Sequence, residues 1–321
     1  MNTPRLEARN LSKRYPVRGP RKGAMLHAVD DVDIAIAAGE SVGLVGESGC
    51  GKSTLARLLA RLVDPTSGNI LLDGRSTTAM TQGQFVASPD RARIQVVFQD
   101  PTDSLNPSFR VYQSIADPIE RLLGIRDSAE VSSRILRAAS LVGLPSELIQ
   151  RYPHQLSGGQ RARVGIARAI AVEPSVLILD EPTSALDVSV QAVILRLLAD
   201  LRDRLGMSYL FVSHDLNVVQ LLCSQIVVMY LGRVVESAPA AELFANPRHP
   251  YTRALIAAIP DPTRRAADVP RLDGSPRSPI DPDPNVCRFH GRCPAATELC
   301  SRVAPTLTER APGHLAACHF A

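Results

Sequence analysis

One glycine-rich run carries a lysine, a serine and a threonine in sequence: Gly46-Glu47-Ser48-Gly49-Cys50-Gly51-Lys52-Ser53-Thr54. This is the pattern G-x-x-x-x-G-K-[ST], a phosphate-binding loop when it follows a strand and opens a helix. Glycines let backbone N–H groups turn inward on phosphate oxygens, and the helix N-terminus adds its dipole. Lys52 is then placed to reach the β- and γ-phosphates, and Ser53 to ligate Mg²⁺. A second candidate is Val176-Leu177-Ile178-Leu179-Asp180-Glu181, an apolar strand ending in two carboxylates. Such a strand would deliver Asp180 rigidly to the Mg²⁺ shell, leaving Glu181 to polarise a water in line with the γ-phosphate. An Asp-Glu strand end is weak evidence alone; the phosphate loop is what gives it meaning.

Both motifs need a scaffold, and the apolar pattern supplies one. Ser41-Val42-Gly43-Leu44-Val45 reads as a buried strand, and Leu55, Leu58, Leu59 and Leu62 mark one face of the helix that follows. Asp64-Pro65-Thr66-Ser67-Gly68 ends that helix. Residues 5–15 and 32–45 read as strand-rich, and 94–98, 176–179, 209–212 and 226–230 as further strands. Apolar periodicity from Ile115 through Leu141 predicts helices over 110–150, and Val190, Val193, Ile194, Leu197, Leu198 and Leu201 form another helical stripe. Alternating strands and helices predict an α/β fold with a helical subdomain at about 105–170.

Composition excludes several classes. The chain has 321 residues, 45% hydrophobic and 21% charged, enough to bury a substantial core in one or two domains. A net charge of +4 without a basic tract gives no sign of a nucleic-acid partner. The opening MNTPRLEARNLSKRY places charges where a secretory signal would be apolar. The uncharged run Leu216–Gly232 is interrupted by Asn217, Gln220, Ser224 and Gln225, and falls short of the ~20 apolar residues of a membrane span. A role at a membrane would therefore require docking on another protein.

Composition changes after Ile259: ten of the 25 prolines lie in residues 260–321. Residues 260–286 read as an irregular linker, giving an expected division at 1–259 and 260–321. The tail holds Cys287, Cys293, Cys300 and Cys318, spaced x5, x6 and x17. In reducing surroundings four clustered cysteines point to metal or redox chemistry before disulfides. Four thiolates suit Fe–S or Zn²⁺, and His290, His314 and His319 keep a mixed zinc site open. Isolated Cys50 and Cys223 read as packing residues.

Seven ordered motifs resemble the ABC-type ATPases. Leu156-Ser157-Gly158-Gly159-Gln160 matches their signature sequence, 20 residues ahead of the Val176 strand. Gln99 (in Phe98-Gln99-Asp100-Pro101), Ser184-Ala185-Leu186-Asp187 and His214 (in Val212-Ser213-His214-Asp215) match their Q-, D- and H-loops. Tyr15 stands where the family stacks an aromatic ring on adenine. A closer resemblance, to the dipeptide/oligopeptide/nickel importer group, rests on Ser104-Leu105-Asn106-Pro107, Val188-Ser189-Val190-Gln191 and Arg248-His249-Pro250-Tyr251-Thr252.

The resemblance implies a P-loop NTPase core: a mixed sheet with flanking helices, an antiparallel β subdomain, a helical subdomain and a small Cys-rich extension. It implies ATP and Mg²⁺ as cofactors, with Ser53, Gln99 and Asp180 around the metal, Glu181 as base and His214 on the γ-phosphate. Ser157 to Gln160 and Asp187 would act on the nucleotide of a facing subunit, so an identical or sister ATPase is needed. The implied partners are two membrane permease subunits and an extracellular solute-binding protein, with this chain on the cytoplasmic face of the membrane. The tail would carry a [4Fe–4S] cluster. The implied function is import of peptides or a related small solute, nickel or glutathione among them. The alternative is a soluble ABC ATPase of translation or DNA repair, although those usually carry two cassettes or a long coiled coil. An exporter is disfavoured because no membrane domain is fused to this chain. Intact Lys52, Asp180, Glu181 and His214 speak against a module with a dead nucleotide site.

Overall fold

The computed structural model describes residues 3–18, 23–260 and 274–321. The chain opens with two long strands, β1 (Leu6–Pro16) and β2 (Met25–Ile36), followed by β3 (Ser41–Val45) and helix α1 (Lys52–Leu59). Then come β4 (Ser67–Leu72), β5 (Arg75–Ser76), α2 (Gln82–Val86), α3 (Asp90–Arg93) and β6 (Ile94–Val97). A helical stretch holds α4 (Pro101–Ser104), α5 (Val111–Leu122), α6 (Ser128–Leu141) and α7 (Gly158–Ile170). Strands and helices alternate again through β7 (Val176–Asp180), α8 (Val188–Leu205), β8 (Ser208–Val212), α9 (Leu216–Leu222) and β9 (Gln225–Tyr230). The last elements are β10 (Arg233–Pro239), α10 (Ala240–Ala245), α11 (Pro250–Ala257), α12 (Glu298–Arg302), β11 (Thr308–Ala311) and β12 (His314–Ala316).

The main sheet is eight-stranded, in the order β11-β12-β10-β9-β3-β8-β7-β6. Its centre is parallel: β3 pairs with β8 and β9, and β7 with β6 and β8. Every residue of β3, β7 and β8 is buried, which is why these strands read as continuous apolar runs. Alternate side chains feed two cores. Leu177, Leu179, Tyr209 and Phe211 face the helices α5–α8, whereas Val176, Ile178, Leu210 and Val212 face α1 and the antiparallel sheet β2-β1-β4-β5. In α1, Leu55, Leu58 and Leu59 are fully buried, as the spacing predicts, while Leu62 lies beyond the helix end. The α8 stripe is narrower than predicted: Ile194, Leu198 and Leu201 are buried, but Val193 is 51% exposed.

One sequence expectation is corrected. Strand β2 begins at Met25, seven residues before the predicted 32. Asp30, Asp31 and Asp33 hide it, and Asp31 takes a left-handed φ of 57° where the β1–β2 pairing shifts register. The tail meets the main sheet directly. Its strand β12 pairs antiparallel with β10 (Glu236 opposite Ala316) and so extends the main sheet. His314 anchors this junction: its Nε2 lies 2.7 Å from Glu236 Oε1, with both side chains wholly buried. That carboxylate also accepts the backbone N–H groups of Arg248 and His249. The predicted linker 260–286 falls partly outside the described residues. Of the part described, Ile280 bridges to Leu26 on β2. Among the described residues no helix is long and apolar enough to cross a membrane.

Candidate nucleotide site

The loop between β3 and α1 has the conformation that the glycines permit. Gly46, Gly49 and Gly51 have φ of 150°, 78° and 107°. A Cβ at Gly46 would meet Met229 O at 2.2 Å, and one at Gly51 would meet Ala28 O at 2.1 Å, so neither position accepts a side chain. Lys52 is 5% exposed and folds back along the loop, its Nζ donating to Gly46 O at 2.8 Å and Glu47 O at 3.0 Å. Ser53 Oγ donates to Asp180 Oδ1 at 3.0 Å, joining α1 to the end of β7.

Asp180 is 4% exposed, and burial pushes its carboxyl above the ordinary carboxylate value. The Ser53 hydroxyl and the charges of Arg57 and Lys52 oppose this, while Glu181 adds to it. The next residue, Glu181, holds a left-handed φ of 48°, its N–H donating to Val212 O at 3.0 Å. A non-glycine residue in that region is strained, and here the strain turns the carboxylate out of the strand line. Glu181 Oε2 accepts from Gln99 Nε2 at 3.2 Å and lies 3.2 Å from His214 Nδ1. Three residues from the ends of β6, β7 and β8 thus meet at the carboxyl edge of a parallel sheet, where α/β folds place their ligands.

A cleft of about 600 Å³ opens in front of this edge. Of the predicted residues, Tyr15, Ser48, Gly49, Gly51, Lys52, Ser53, Thr54, Gln99, Glu181 and His214 line it. Gly46 and Cys50 sit behind the lining. Cys50 is buried, and burial pushes its thiol up, as expected of a packing residue. Cys223 behaves alike, pushed up to about 12 by burial. Ser157, Gly158, Gly159, Gln160 and Asp187 lie outside the lining. Ser157 caps α7 in a reciprocal box with Gln160, while Gly158 and Gly159 pack beside Leu186 and Val190. Signature and D-loop therefore form their own patch in this chain.

Sequence reasoning missed several residues around the cleft. His27, Leu231, Gly232 and Pro279 contribute to its wall. Lys13 Nζ lies 5.0 Å from the centre of the Tyr15 ring. Asp30 binds Arg233 Nε at 3.0 Å and also Arg288 of the tail. Glu47, a variable position of the loop motif, is bound by Arg292 of the tail. Nothing local flags the ion pairs of Asp30 and Glu47, because their arginines lie more than 200 residues away.

The four tail cysteines are free and share one neighbourhood. Burial pushes the Cys287 thiol up, and the charges of Cys300, Cys293 and Cys318 add to the effect. Cys293 is raised likewise by burial and then by Cys318 and Cys300. The donor types suit a soft metal centre. The arrangement does not close on one: among the described residues no group of three or more His, Cys, Asp or Glu is disposed to hold a metal ion. His314 Nε2 lies 2.7 Å from Glu236 Oε1, and His319 Nε2 lies 2.8 Å from Val303 O.

Fold and site together define a P-loop ATPase whose phosphate loop and carboxylates converge from sequence-distant strand ends. Residues 29–184 match the ABC transporter family, and residues 235–300 match the oligopeptide/dipeptide transporter C-terminal region. A probable peptide ABC transporter ATP-binding protein of Sinorhizobium fredii is 47% identical over 321 residues, covering 98% of this chain and 89% of that protein. An oligopeptide transport ATP-binding protein of Bacillus subtilis is 42% identical over 324 residues, covering 98% and 97%. Among solved structures, a dimeric ATP-binding cassette in a post-hydrolysis state with ADP and Pi superposes with a TM-score of 0.65. It is 30% identical and covers 73% of this chain and 98% of its own. The chain belongs to the family of ABC transporter ATP-binding proteins.

Proposed function

We propose that this chain hydrolyses ATP to drive import of peptides, or a related small solute, through a membrane permease. The observation that carries the reading is the convergence of Gln99 and His214 on Glu181, beside the Ser53–Asp180 pair. In this reading the loop N–H groups and Lys52 hold the phosphates, and Tyr15 stacks the adenine. Ser53, Asp180 and Gln99 would hold Mg²⁺, which would offset charge on the phosphates. Glu181 orients and deprotonates the attacking water, and His214 hydrogen-bonds the γ-phosphate. Catalysis is positioning plus charge stabilisation.

The patch of Ser157–Gln160 and Asp187 closes over the nucleotide of a second ATPase subunit, identical or sister. Its separation from the cleft supports this reading, as does the dimeric state of the similar cassette. The peptide-transport relatives and the matching C-terminal region support the solute class. Two permease subunits and an extracellular binding protein complete the assembly, with this subunit docked at the cytoplasmic side. For the four cysteines we propose a [4Fe–4S] cluster, with zinc as the second reading; four thiols close enough to raise one another support it.

Glu181→Gln tests the core of the proposal. The variant retains Mg·ATP binding and loses turnover by about 10²-fold or more. Normal phosphate release from it would remove Glu181 from the mechanism.

A further inference from the structure

The contact between the tail and the phosphate loop has no place in the motif chemistry, yet every polar handle of one loop residue is occupied. Glu47 presents both carboxylate oxygens to Arg292: Nη1 donates to Oε2 at 2.8 Å and Nη2 to Oε1 at 3.0 Å. Its backbone N–H donates to Tyr251 Oη at 2.8 Å. Its carbonyl accepts from Lys52 Nζ at 3.0 Å and from the Cys50 N–H at 3.3 Å. A two-pronged guanidinium–carboxylate pair fixes orientation as well as distance.

The clamp is itself held. The Arg292 side chain is 9% exposed, donates to Tyr230 Oη at 3.3 Å and lies over the Tyr230 ring. Tyr230 packs on Tyr251 and on Phe289 of the tail, with ring centres 4.7 and 5.2 Å apart. Tyr251 comes from the Arg248–Thr252 motif, whose role the nucleotide chemistry leaves unexplained. That motif and the tail therefore meet at the same loop residue from two directions.

We propose that Arg292 and Tyr251 are positioning residues for nucleotide binding, holding the Glu47 peptide so that the phosphate loop keeps its open, inward-facing shape. The proposal rests on the ATP-site reading above. Lys52 must leave the carbonyls of Gly46 and Glu47 to reach a phosphate. When it does, the Glu47 carbonyl keeps only the Cys50 N–H, and the loop depends more on restraint from outside it. Arg292 and Tyr251 are that restraint, and they make the tail part of the nucleotide site without touching the nucleotide.

The test titrates Mg·ATP into the full chain by calorimetry, well below the melting temperature of every variant. Glu47→Gln keeps the shape of the side chain and leaves the tail intact; Arg292→Ala removes the clamp; Arg292→Lys keeps the charge without the fork. We expect Glu47→Gln and Arg292→Ala each to weaken binding about tenfold, and the double variant to be no worse than the weaker single. Arg292→Lys recovers only part of the loss. Unchanged affinity in folded Glu47→Gln and Arg292→Ala, even with lowered melting temperatures, assigns the pair to packing and overturns the proposal. Losses that multiply in the double variant overturn it too. A wild-type chain that binds no Mg·ATP defeats the ATP-site reading itself, a different outcome from a wild type that binds while its variants bind equally well.

Discussion

Asp180 is held where its charge is costly. Burial raises its carboxyl pKa, so the folded chain holds that proton more tightly than the unfolded chain does. By linkage, a raised carboxyl pKa contributes stability at acid pH. That contribution is lost as pH climbs from the ordinary value of 3.8 through the raised one. At neutral pH, Asp180→Asn should therefore melt higher, by about 2 °C, with the gain shrinking toward acid, while Mg²⁺-dependent hydrolysis is lost. Melting curves at neutral and acid pH, with a phosphate-release assay, check both halves. A lower melting temperature at neutral pH would mean that the Ser53 hydrogen bond outweighs the burial. Glu181 shows the same logic in its backbone: a left-handed φ on a non-glycine residue is tolerated because the displaced carboxylate meets Gln99 and His214.

At the scale of elements, the tail depends on the sheet and the site depends on the tail. Strand β12 reaches β10 through the buried Glu236–His314 pair, and the segment between Cys287 and Cys293 supplies Phe289 and Arg292 to the aromatic cluster behind the loop. The four thiols hang from this segment and from α12 and the final residues. If they take up a cluster, anaerobic purification should give a brown protein with iron and broad visible absorption, and Cys300→Ser should lose both. A colourless, iron-free protein that contains zinc favours the second reading; one with neither metal leaves four thiols as packing. Cys300 is chosen because it is buried, and its carbonyl already accepts the Cys287 N–H at 2.9 Å.

At the scale of the whole molecule, the chain displays two halves of a phosphate grip in different places. The cleft holds Lys52, Ser53 and Glu181, while the Ser157–Gln160 loop lies outside its lining, beside Leu186 and Val190. Val188, next to Asp187 at the start of α8, is 83% exposed, which suits a surface that another subunit covers. Ser157→Arg should therefore leave Mg·ATP binding by the isolated chain unchanged within about twofold and abolish hydrolysis in the assembled ATPase. Binding and phosphate release, measured on the same preparation, separate the two effects. Full hydrolysis by that variant would show that the facing loop plays no part. The lost cap costs α7 about 1 kcal/mol, which its buried face of Ala162, Val164, Ile166 and Ala169 absorbs.

The amino-acid sequence alone determined the chemistry and the central scaffold. Gly46 to Thr54, Asp180-Glu181 and the buried runs of β3, β7 and β8 are local patterns, and local patterns follow from glycine freedom, helix dipoles and apolar periodicity. Tertiary structure decided what depends on long-range pairing. It started β2 at Met25 despite three aspartates, and it paired tail strand β12 with β10 of the main sheet. It also put Arg292 on Glu47, 245 residues away in the chain. A long-range ion pair or an added strand leaves no periodicity in either partner, because each side chain is ordinary until the fold brings the other to it.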